Sequence, residues 1–567
     1  MAGDPLKKGR YTNFGNKIGL FSNKTGNFIS NSPEVVLNFP FKDTVLEAGM
    51  AKEDSGREER FLHIEMDAKD IDTLEDPKVL TNFKYIDRSG EHALDENSDI
   101  EFFDENGELK QNLLIKGNNL LALHTLKEKL AGKVKLIYID PPYNTGSDGF
   151  KYNDSFNHSS WLVFMKNRLE IAKDLLSESG AIFISCDDNE QAYLKVLCDE
   201  IFNRDNFLSD IIWNSTKSVT NTAIISVSHT HNLCYFKNRQ WWVEHRTDFR
   251  LREDGVGFSN PDNDPRGPWK ADPFQVGGWR PNQQYEIINP NTGVKYRPNP
   301  GCSWKNDFEH FKVLLKENRI VFGTNGDASP QRKRFLSEAL DRGKVAKTIW
   351  DDIDTTTNAT KHNKELFGKS TFSNPKPESL IERIIELATN EGDIVLDYHL
   401  GSGTTSAAAL KMNRRWIGIE QMDYIETVSK ERLKKVISGE QGGISKDVNW
   451  QGGGSFVYFE LKKYNQDFID RIMEAITIPE LEEIYQDMQK NAFLKFWFDK
   501  KEFERDENFR SLSLDERKQK LVDILDENQF YLNYAEMNDA KYHVSDAEKV
   551  LTDRFYQTNE ESEDVEE

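Results

Sequence analysis

An α/β fold, doubly wound about a mostly parallel sheet, is what this 567-residue chain predicts. Two observations carry that expectation. Apolar runs of strand length alternate with helical segments through residues 113–235, and the pattern returns at 379–420. Two of the runs also end in a carboxylate that feeds a turn. Val134–Ile139 enters Asp140-Pro141-Pro142-Tyr143, and Asp393–Asp397 enters Gly401-Ser402-Gly403. Turns at the carboxyl ends of parallel strands are where ligands of such sheets collect.

In chain order, residues 1–110 are polar and charge-rich. Their one short apolar stretch is Val35-Val36-Leu37-Asn38-Phe39-Pro40-Phe41, and they read as an N-terminal extension. Residues 111–237 hold the first half of the α/β pattern. A buried-type strand at Val134–Ile139 precedes a helix over 161–176, and Gly180 precedes the strand Ala181–Ser185. Leu233–Phe236 is another strand candidate. Residues 238–310 are rich in Pro, Gly and Asn and carry five of the eleven tryptophans, so regular helix is not expected there. Residues 311–455 restore the pattern. Ser379–Thr389 has one apolar face, Thr404–Lys411 is a helix and Trp416–Glu420 a strand. Residues 456–567 look mainly helical. Ser513 and Glu516 have the spacing of a capping box, and EESEDVEE forms an acidic tail at 560–567.

Composition excludes several classes. No run reaches the ~18 apolar residues of a membrane span, and no apolar signal core follows the first residues, so a cytoplasmic protein is expected. The four cysteines form no C-x-x-C pair, which argues against a disulfide framework. Cys186 and Cys198 are best read as small buried hydrophobes. His229 and His231 share a strand face, but with no third ligand type nearby in sequence no metal site is expected. A net charge of −22 opposes nucleic-acid binding. It is uneven, however: residues 239–300 carry nine Lys/Arg against eight Asp/Glu, so a locally basic face stays possible.

The two turns have distinct chemistry. A carboxylate and a proline carbonyl can accept both N–H bonds of an exocyclic amino group, while a tyrosine ring stacks on a flat base. In the second turn, Gly401 and Gly403 allow a tight bend and close backbone approach. Glu420 ends the next strand, the placement of an acid that holds ribose hydroxyls. The turn is not G-x-G-x-x-G, and Asp397 would repel a pyrophosphate. A cationic or amino-bearing nucleoside suits it better, such as the methionine end of S-adenosylmethionine. Either turn alone is most often an ordinary turn; together, on strand ends of one α/β domain, they are expected to converge on one crevice.

These residues resemble the amino-group DNA methyltransferases that carry D-P-P-Y. The D-P-P-Y half precedes the glycine-turn half, which is the circularly permuted β order. The likeness tightens at Gly117–Leu123, Asp140–Gly146, Phe372–Pro377 and Leu396–Thr405. With Leu37–Met50 and 456–466, it is specifically to the modification (Mod) subunits of Type III restriction–modification systems, over roughly residues 35–470. The resemblance implies a seven-stranded-type methyltransferase sheet with a target-recognition insertion at 238–310. It also implies assembly contacts through residues 1–110 and the helical C-terminal region.

By the same resemblance the cofactor is S-adenosylmethionine and the partners are double-stranded DNA, a second copy of the chain and a Res helicase–nuclease. Adenine N6 is the expected acceptor, because the first motif residue is Asp where cytosine-N4 enzymes more often have Ser. A cytosine-N4 or RNA enzyme, or a recognition subunit that loads the nuclease, are the alternatives. Catalysis falls to Asp140, Pro141, Pro142 and Tyr143. Cofactor contacts fall to Asn118, Asp140, Asn374, Pro375, Lys376, Asp397, His399, Gly401, Ser402, Gly403, Thr404, Thr405 and Glu420. For Thr404 and Thr405 helix capping is the alternative, and for Lys376 a solvated charge. Two residues depart from the family: His399 stands where Phe is common, and Asn118 where Asp is common. Arg246, Arg250, Arg252, Arg266, Arg280 and Arg297 are DNA-contact candidates, and the tryptophans among them are mostly subdomain core.

Overall fold

A computed structural model describes residues 76–146, 156–323, 325–463, 466–491, 503, 512–525, 531–542 and 544–556. It also describes two short strand pairs, Phe21–Ser22 with Asn27–Phe28 and Val45–Glu47 with Arg60–Leu62. The apolar stretch 35–41, most of 37–50 and the acidic tail lie outside the described residues. The chain divides into two compact units, one of residues 1–244 with 347–567 and one of residues 245–346.

The larger unit is built on one eleven-stranded sheet. Its strands are β1 (Leu80–Asp87), β2 (Gly90–Ala93), β3 (Leu113–Lys116), β4 (Val134–Ile139), β5 (Leu176–Cys186) and β6 (Phe207–Trp213). Then come β7 (Thr230–Phe236), β8 (Ile349–Trp350), β9 (Ile394–Asp397), β10 (Arg415–Glu420) and β11 (Phe456–Leu461). Across the sheet the order is β8-β6-β7-β5-β4-β9-β10-β3-β11-β1-β2. The stretch from β5 to β11 is parallel throughout. Antiparallel pairings extend it at both sides.

Sequence explains the parallel centre. Strands covered by helices on both faces must be apolar on both faces. Leu136, Ile137, Tyr138, Ile139, Val395, Leu396, Ile417 and Ile419 are all buried. Each such aliphatic side chain contributes about 1.5–3 kcal/mol on leaving water. The helices Asn119–Leu130, His158–Leu175 and Glu378–Ala388 supply the covering faces. None of the described helices is long and apolar enough to cross a membrane.

Three extents differ from the sequence reading. First, residues 80–93, read as part of an extension, are a hairpin in the main sheet. Its alternating burial was diluted by Thr81, Asn82 and Lys84. Second, the region after 456 opens with β11, which lies between β3 and β1. Further on, Tyr531, Leu551, Phe555 and Tyr556 pack into the same core. A six-residue apolar run cannot be assigned to strand or helix by periodicity alone. Third, the inserted unit runs to Ala346, not 310. Phe311, Leu314, Ile320 and Phe322 complete a small core with Phe274, Ile287 and Trp304, which the shorter segment could not close. Within that unit, strand Trp269–Pro273 pairs with Gln331–Phe335, and Gln275–Gly277 pairs with Cys302–Trp304.

Candidate active site

Strands β4 and β9 are neighbours, with Leu136 opposite Val395 and Ile137 opposite Leu396. From this pair the chain winds outward both ways, through β5 on one side and β10 on the other, which makes their carboxyl ends the switch point of the sheet. Asp140 follows β4 and Asp397 ends β9, so the two turns open on one cleft. Tyr138, Asp140, Pro142, Ser373, Asn374, Pro375 and Lys376 line it on one part. Asp397, His399, Gly401, Ser402, Thr404, Thr405 and Glu420 line the rest.

The second turn is held by its own carboxylates. Thr405 Oγ1 donates to Asp397 Oδ2 at 2.6 Å, and the His399 N–H donates to Asp397 Oδ1 at 3.0 Å. Glu420 accepts from the Gly401 N–H at 3.0 Å, the Gln421 N–H at 2.9 Å and the Met422 N–H at 3.1 Å. Gly401 and Gly403 have φ of +54° and +78°, the left-handed region that favours glycine. A Cβ on Gly401 would also lie 3.2 Å from Phe372 Cζ. Behind the turn, Arg432 Nη1 donates to Thr404 Oγ1 at 2.7 Å, and its Nη2 donates to the buried Glu378 at 2.9 Å.

Burial sets the electrostatics. Asp397 is pushed up to about 7 by burial; hydrogen bonds from Thr405 and His399 oppose this, and Asp140 and Glu420 add to it. Burial also raises Glu420. The imidazole of His399 is held well below its usual range, by burial first and by Arg168 second, so it stays neutral. Its Nε2 is buried without a hydrogen-bond partner. The lining fits the cation-bearing nucleoside expected from the turn: a carboxyl short of positive charge, an unmatched imidazole nitrogen and a glycine where a side chain would intrude.

The first turn is held from outside. Tyr143 Oη donates to Asp140 Oδ1 at 2.7 Å, and Lys376 Nζ donates to Oδ2 at 2.6 Å. Lys376 is therefore not a solvated charge, and its Nζ also lies 5.1 Å from the centre of the Tyr143 ring. Trp161 Nε1 donates to the Pro142 carbonyl at 2.8 Å and anchors the proline pair. Asn144 follows at φ +59°, and its Nδ2 donates to Glu190 at 2.7 Å.

Not every expected residue reaches the cleft. Asn118 caps the helix Asn119–Leu130, accepting from the Leu120 N–H at 3.0 Å, and does not line it. Its neighbour Asn119 does, donating to the Tyr398 carbonyl at 2.8 Å and accepting from Arg168 Nε at 2.6 Å. Pro141, Tyr143 and Gly403 border the turns without lining the cleft. Phe372, Tyr398, Met422 and Tyr424 line it and were missed. Phe372 and Tyr398 lie inside the motif stretches, which was the available signal; Met422 and Tyr424 follow Glu420 closely but form no motif. Buried Cys186 and Cys198 have thiols pushed up by burial and serve as packing.

Among the DNA candidates, Arg266 is committed within its own unit. Its Nε and Nη2 grip Asp264 at 2.8 and 2.7 Å, and its guanidinium stacks 4.4 Å over Phe335. Arg250 is half-buried. Arg246, Arg252, Arg280 and Arg297 are exposed, Arg297 beside Glu286 at 3.6 Å. Trp242 and Trp304 are buried, whereas Trp279 is 68% exposed, next to Arg280.

A permuted α/β sheet whose two halves place an amino-acceptor turn and a nucleoside turn at one switch point defines an S-adenosylmethionine-dependent DNA methyltransferase. The DNA methylase family model matches residues 134–431. The chain is 36% identical to the "Probable type III restriction-modification enzyme HindVI Mod subunit" of Haemophilus influenzae, over 96% of this chain and 88% of that one. It is 31% identical to the EcoP15I Mod subunit of Escherichia coli, over 55% of this chain and 58% of that one. The chain belongs to the Mod subunits of Type III restriction–modification systems. Among solved structures, the PvuII DNA methyltransferase (cytosine-N4-specific) matches 60% of this chain and 92% of its own, at 13% identity and a TM-score of 0.32.

Proposed function

We propose that this Mod subunit methylates adenine N6 in a specific DNA sequence, on a base flipped out of the duplex. The convergence of Asp140 and Asp397 on one cleft carries the reading. The amino group of a stacked base is out of reach of that cleft, so the base must leave the helix. Asp140 and the Pro141 carbonyl accept the two amino hydrogens, and Tyr143 stacks on the ring. As the nitrogen becomes tetrahedral and gains positive charge, these fixed acceptors stabilise it more than they stabilise the flat ground state. S-adenosylmethionine, when bound, supplies an electrophilic methyl group for direct displacement. Asp397 and the Gly401–Gly403 backbone hold its methionine end, and Glu420 the ribose hydroxyls. Asn374, Pro375, Lys376, His399, Thr404 and Thr405 form the walls. No residue becomes covalently linked: the nitrogen–methyl bond would form as the sulfur–methyl bond breaks, S-adenosylhomocysteine would leave, and the extra proton on nitrogen would pass to solvent.

Lys376 has a positioning role in this scheme. Its ammonium holds Asp140 Oδ2, and the entering amino group bonds the acceptor capacity that remains on the carboxylate. The unit 245–346 reads the target sequence, with Trp279 and Arg280 as its leading exposed contact pair. The subunit pairs with a second copy and with a Res helicase–nuclease through its N- and C-terminal regions. Sequencing of modified bases in a host with and without this chain tests the main reading. N6-methyladenine in one defined motif is expected; N4-methylcytosine in its place would establish the rival base.

A further inference from the structure

Away from the cleft, three side chains converge from two separate segments. His231 lies on β7, His229 immediately precedes that strand, and Asp188 lies in the loop after β5. His231 Nε2 is 3.2 Å from His229 Nε2 and 3.0 Å from Asp188 Oδ1, and His229 Nε2 is 3.7 Å from the same oxygen. The sequence offered only two histidines on one strand face; folding supplies the third ligand.

Proton bookkeeping shows that this arrangement calls for a proton or a metal ion. His231 Nδ1 lies 2.8 Å from Asp210 Oδ2, a carboxylate that only accepts, so Nδ1 carries a hydrogen. In the neutral ring that leaves Nε2 as a lone pair facing Asp188 and His229. A second proton on His231, an Nε2–H of His229 or a metal ion must sit among them. Geometry favours the ion. A tetrahedral Zn2+ with bonds of about 2.0–2.1 Å separates its ligands by roughly 3.3–3.4 Å, and the three observed edges bracket that value. A proton on either Nε2 points at one acceptor at a time, whereas an ion meets all three ligand atoms at once. Asp210 stands where a carboxylate orients a ligating imidazole, and it is itself fixed by Gln191 Nε2 at 2.9 Å.

The other convergent set among the described residues, His362, Glu378 and Glu440, contrasts with this one. Its carboxylates already enclose cations: Lys411 Nζ is 2.7 Å from Glu378 Oε2, and Arg432 Nη2 is 2.9 Å from Oε1. Among the described residues, Asp188, His229 and His231 form no ion pair with a lysine or arginine.

We propose that Asp188, His229 and His231 form a Zn2+ site with Asp210 as its orienting carboxylate and one ligand position open to solvent. The ion would fasten β7 to the loop 187–190. That loop also carries Glu190, whose carboxylate holds Asn144 at 2.7 Å and His158 at 2.8 Å, just beyond the D-P-P-Y turn. The ion would therefore brace the chain beside the catalytic turn.

The test uses the untagged full-length chain, stripped with a chelator and titrated with Zn2+ by calorimetry. A site of unit stoichiometry is expected, weakened at least about 100-fold by His229→Ala or His231→Ala, and about 10- to 100-fold by Asp210→Asn. Co2+ in place of Zn2+ on the unaltered chain should give the strong visible bands of a tetrahedral N2O centre, a readout that needs no variant. Absence of those bands, or Zn2+ binding indifferent to both histidine substitutions, overturns the site and leaves a proton in the ion's place.

Discussion

The two turns of the cleft are built by opposite means. At Asp397–Thr405, the carboxylates are satisfied by backbone and hydroxyl donors of their own or the adjoining turn, and Asp397, Ser402, Thr404 and Thr405 are buried. At Asp140–Tyr143, the carboxylate is 28% exposed, and one of its two partners arrives from Lys376, far along the chain. The first design suits binding, since a pre-formed cradle pays no ordering entropy when the ligand arrives. The second suits chemistry, since a partly exposed carboxylate with acceptor capacity to spare is available to a new hydrogen bond in the transition state. Substitutions should therefore separate affinity from rate.

The largest separation is expected from Asp140→Ala. Removing a fixed acceptor of developing charge costs about 10²–10³ in kcat, while S-adenosylmethionine binding by calorimetry should change less than about twofold, because the hydrogen bonds that shape the cradle run through Asp397 and Glu420. Tritiated-methyl incorporation at full rate in this variant would remove Asp140 from the chemistry.

Lys376→Met should come next. Breaking a buried charge pair leaves the partner uncompensated, and Asp140's partial exposure reduces the cost to about 2 kcal/mol, or roughly thirtyfold in rate. If Lys376 acts through Asp140, the same substitution added to Asp140→Ala should cost almost nothing more. A full additional loss in the double variant would give Lys376 an independent role.

Much of this contrast was legible in the chain. Asp140–Tyr143 and Asp397–Gly403 are contiguous motifs, so the residue types themselves announce the chemistry. The sheet centre was equally legible, because Leu136–Ile139 and Val395–Leu396 are apolar without interruption. What escaped is what folding brings from a distance. Asn119 replaces Asn118 in the cleft because the helix cap claims the first amide. Lys376 reaches Asp140, and Arg432 reaches Thr404, across intervals that no spacing rule covers. The same limit hid Asp188 from His229 and His231. The hairpin 80–93 and strand β11 escaped for another reason: polar or very short segments carry too little periodic signal.

The pH dependence of cofactor binding tests the cradle alone. Asp397 is raised to about 7 by burial, so near pH 6 the free protein holds a proton there that a sulfonium must displace. Affinity for S-adenosylmethionine should rise about tenfold from pH 6 to pH 8 and level off above, with proton release on binding at the acid end. In the free protein the sign reverses. The native state retains this proton after the unfolded chain has lost it, so the contribution to stability is complete below about pH 4 and disappears as pH rises through about 7. A pH-independent Kd would show that Asp397 is ionised throughout and that the cradle already meets its charge.

The smallest effect, and the most specific to the cradle, is expected at Gly401. Alanine there must hold φ near +54°, at a cost of about 1 kcal/mol, and its methyl group presses on Phe372 at 3.2 Å. Phe372 sits on the segment that carries Lys376, so the added methyl tests how far the two turns are mechanically joined. Separate turns predict about a fivefold loss of cofactor affinity with kcat unchanged at saturation. A coupled pair predicts that kcat falls as well, because the displaced Phe372 carries Lys376 away from Asp140. Measuring kcat and Kd for Gly401→Ala beside Lys376→Met distinguishes these outcomes: a shared fall in kcat would mean that the binding cradle also positions the catalytic carboxylate.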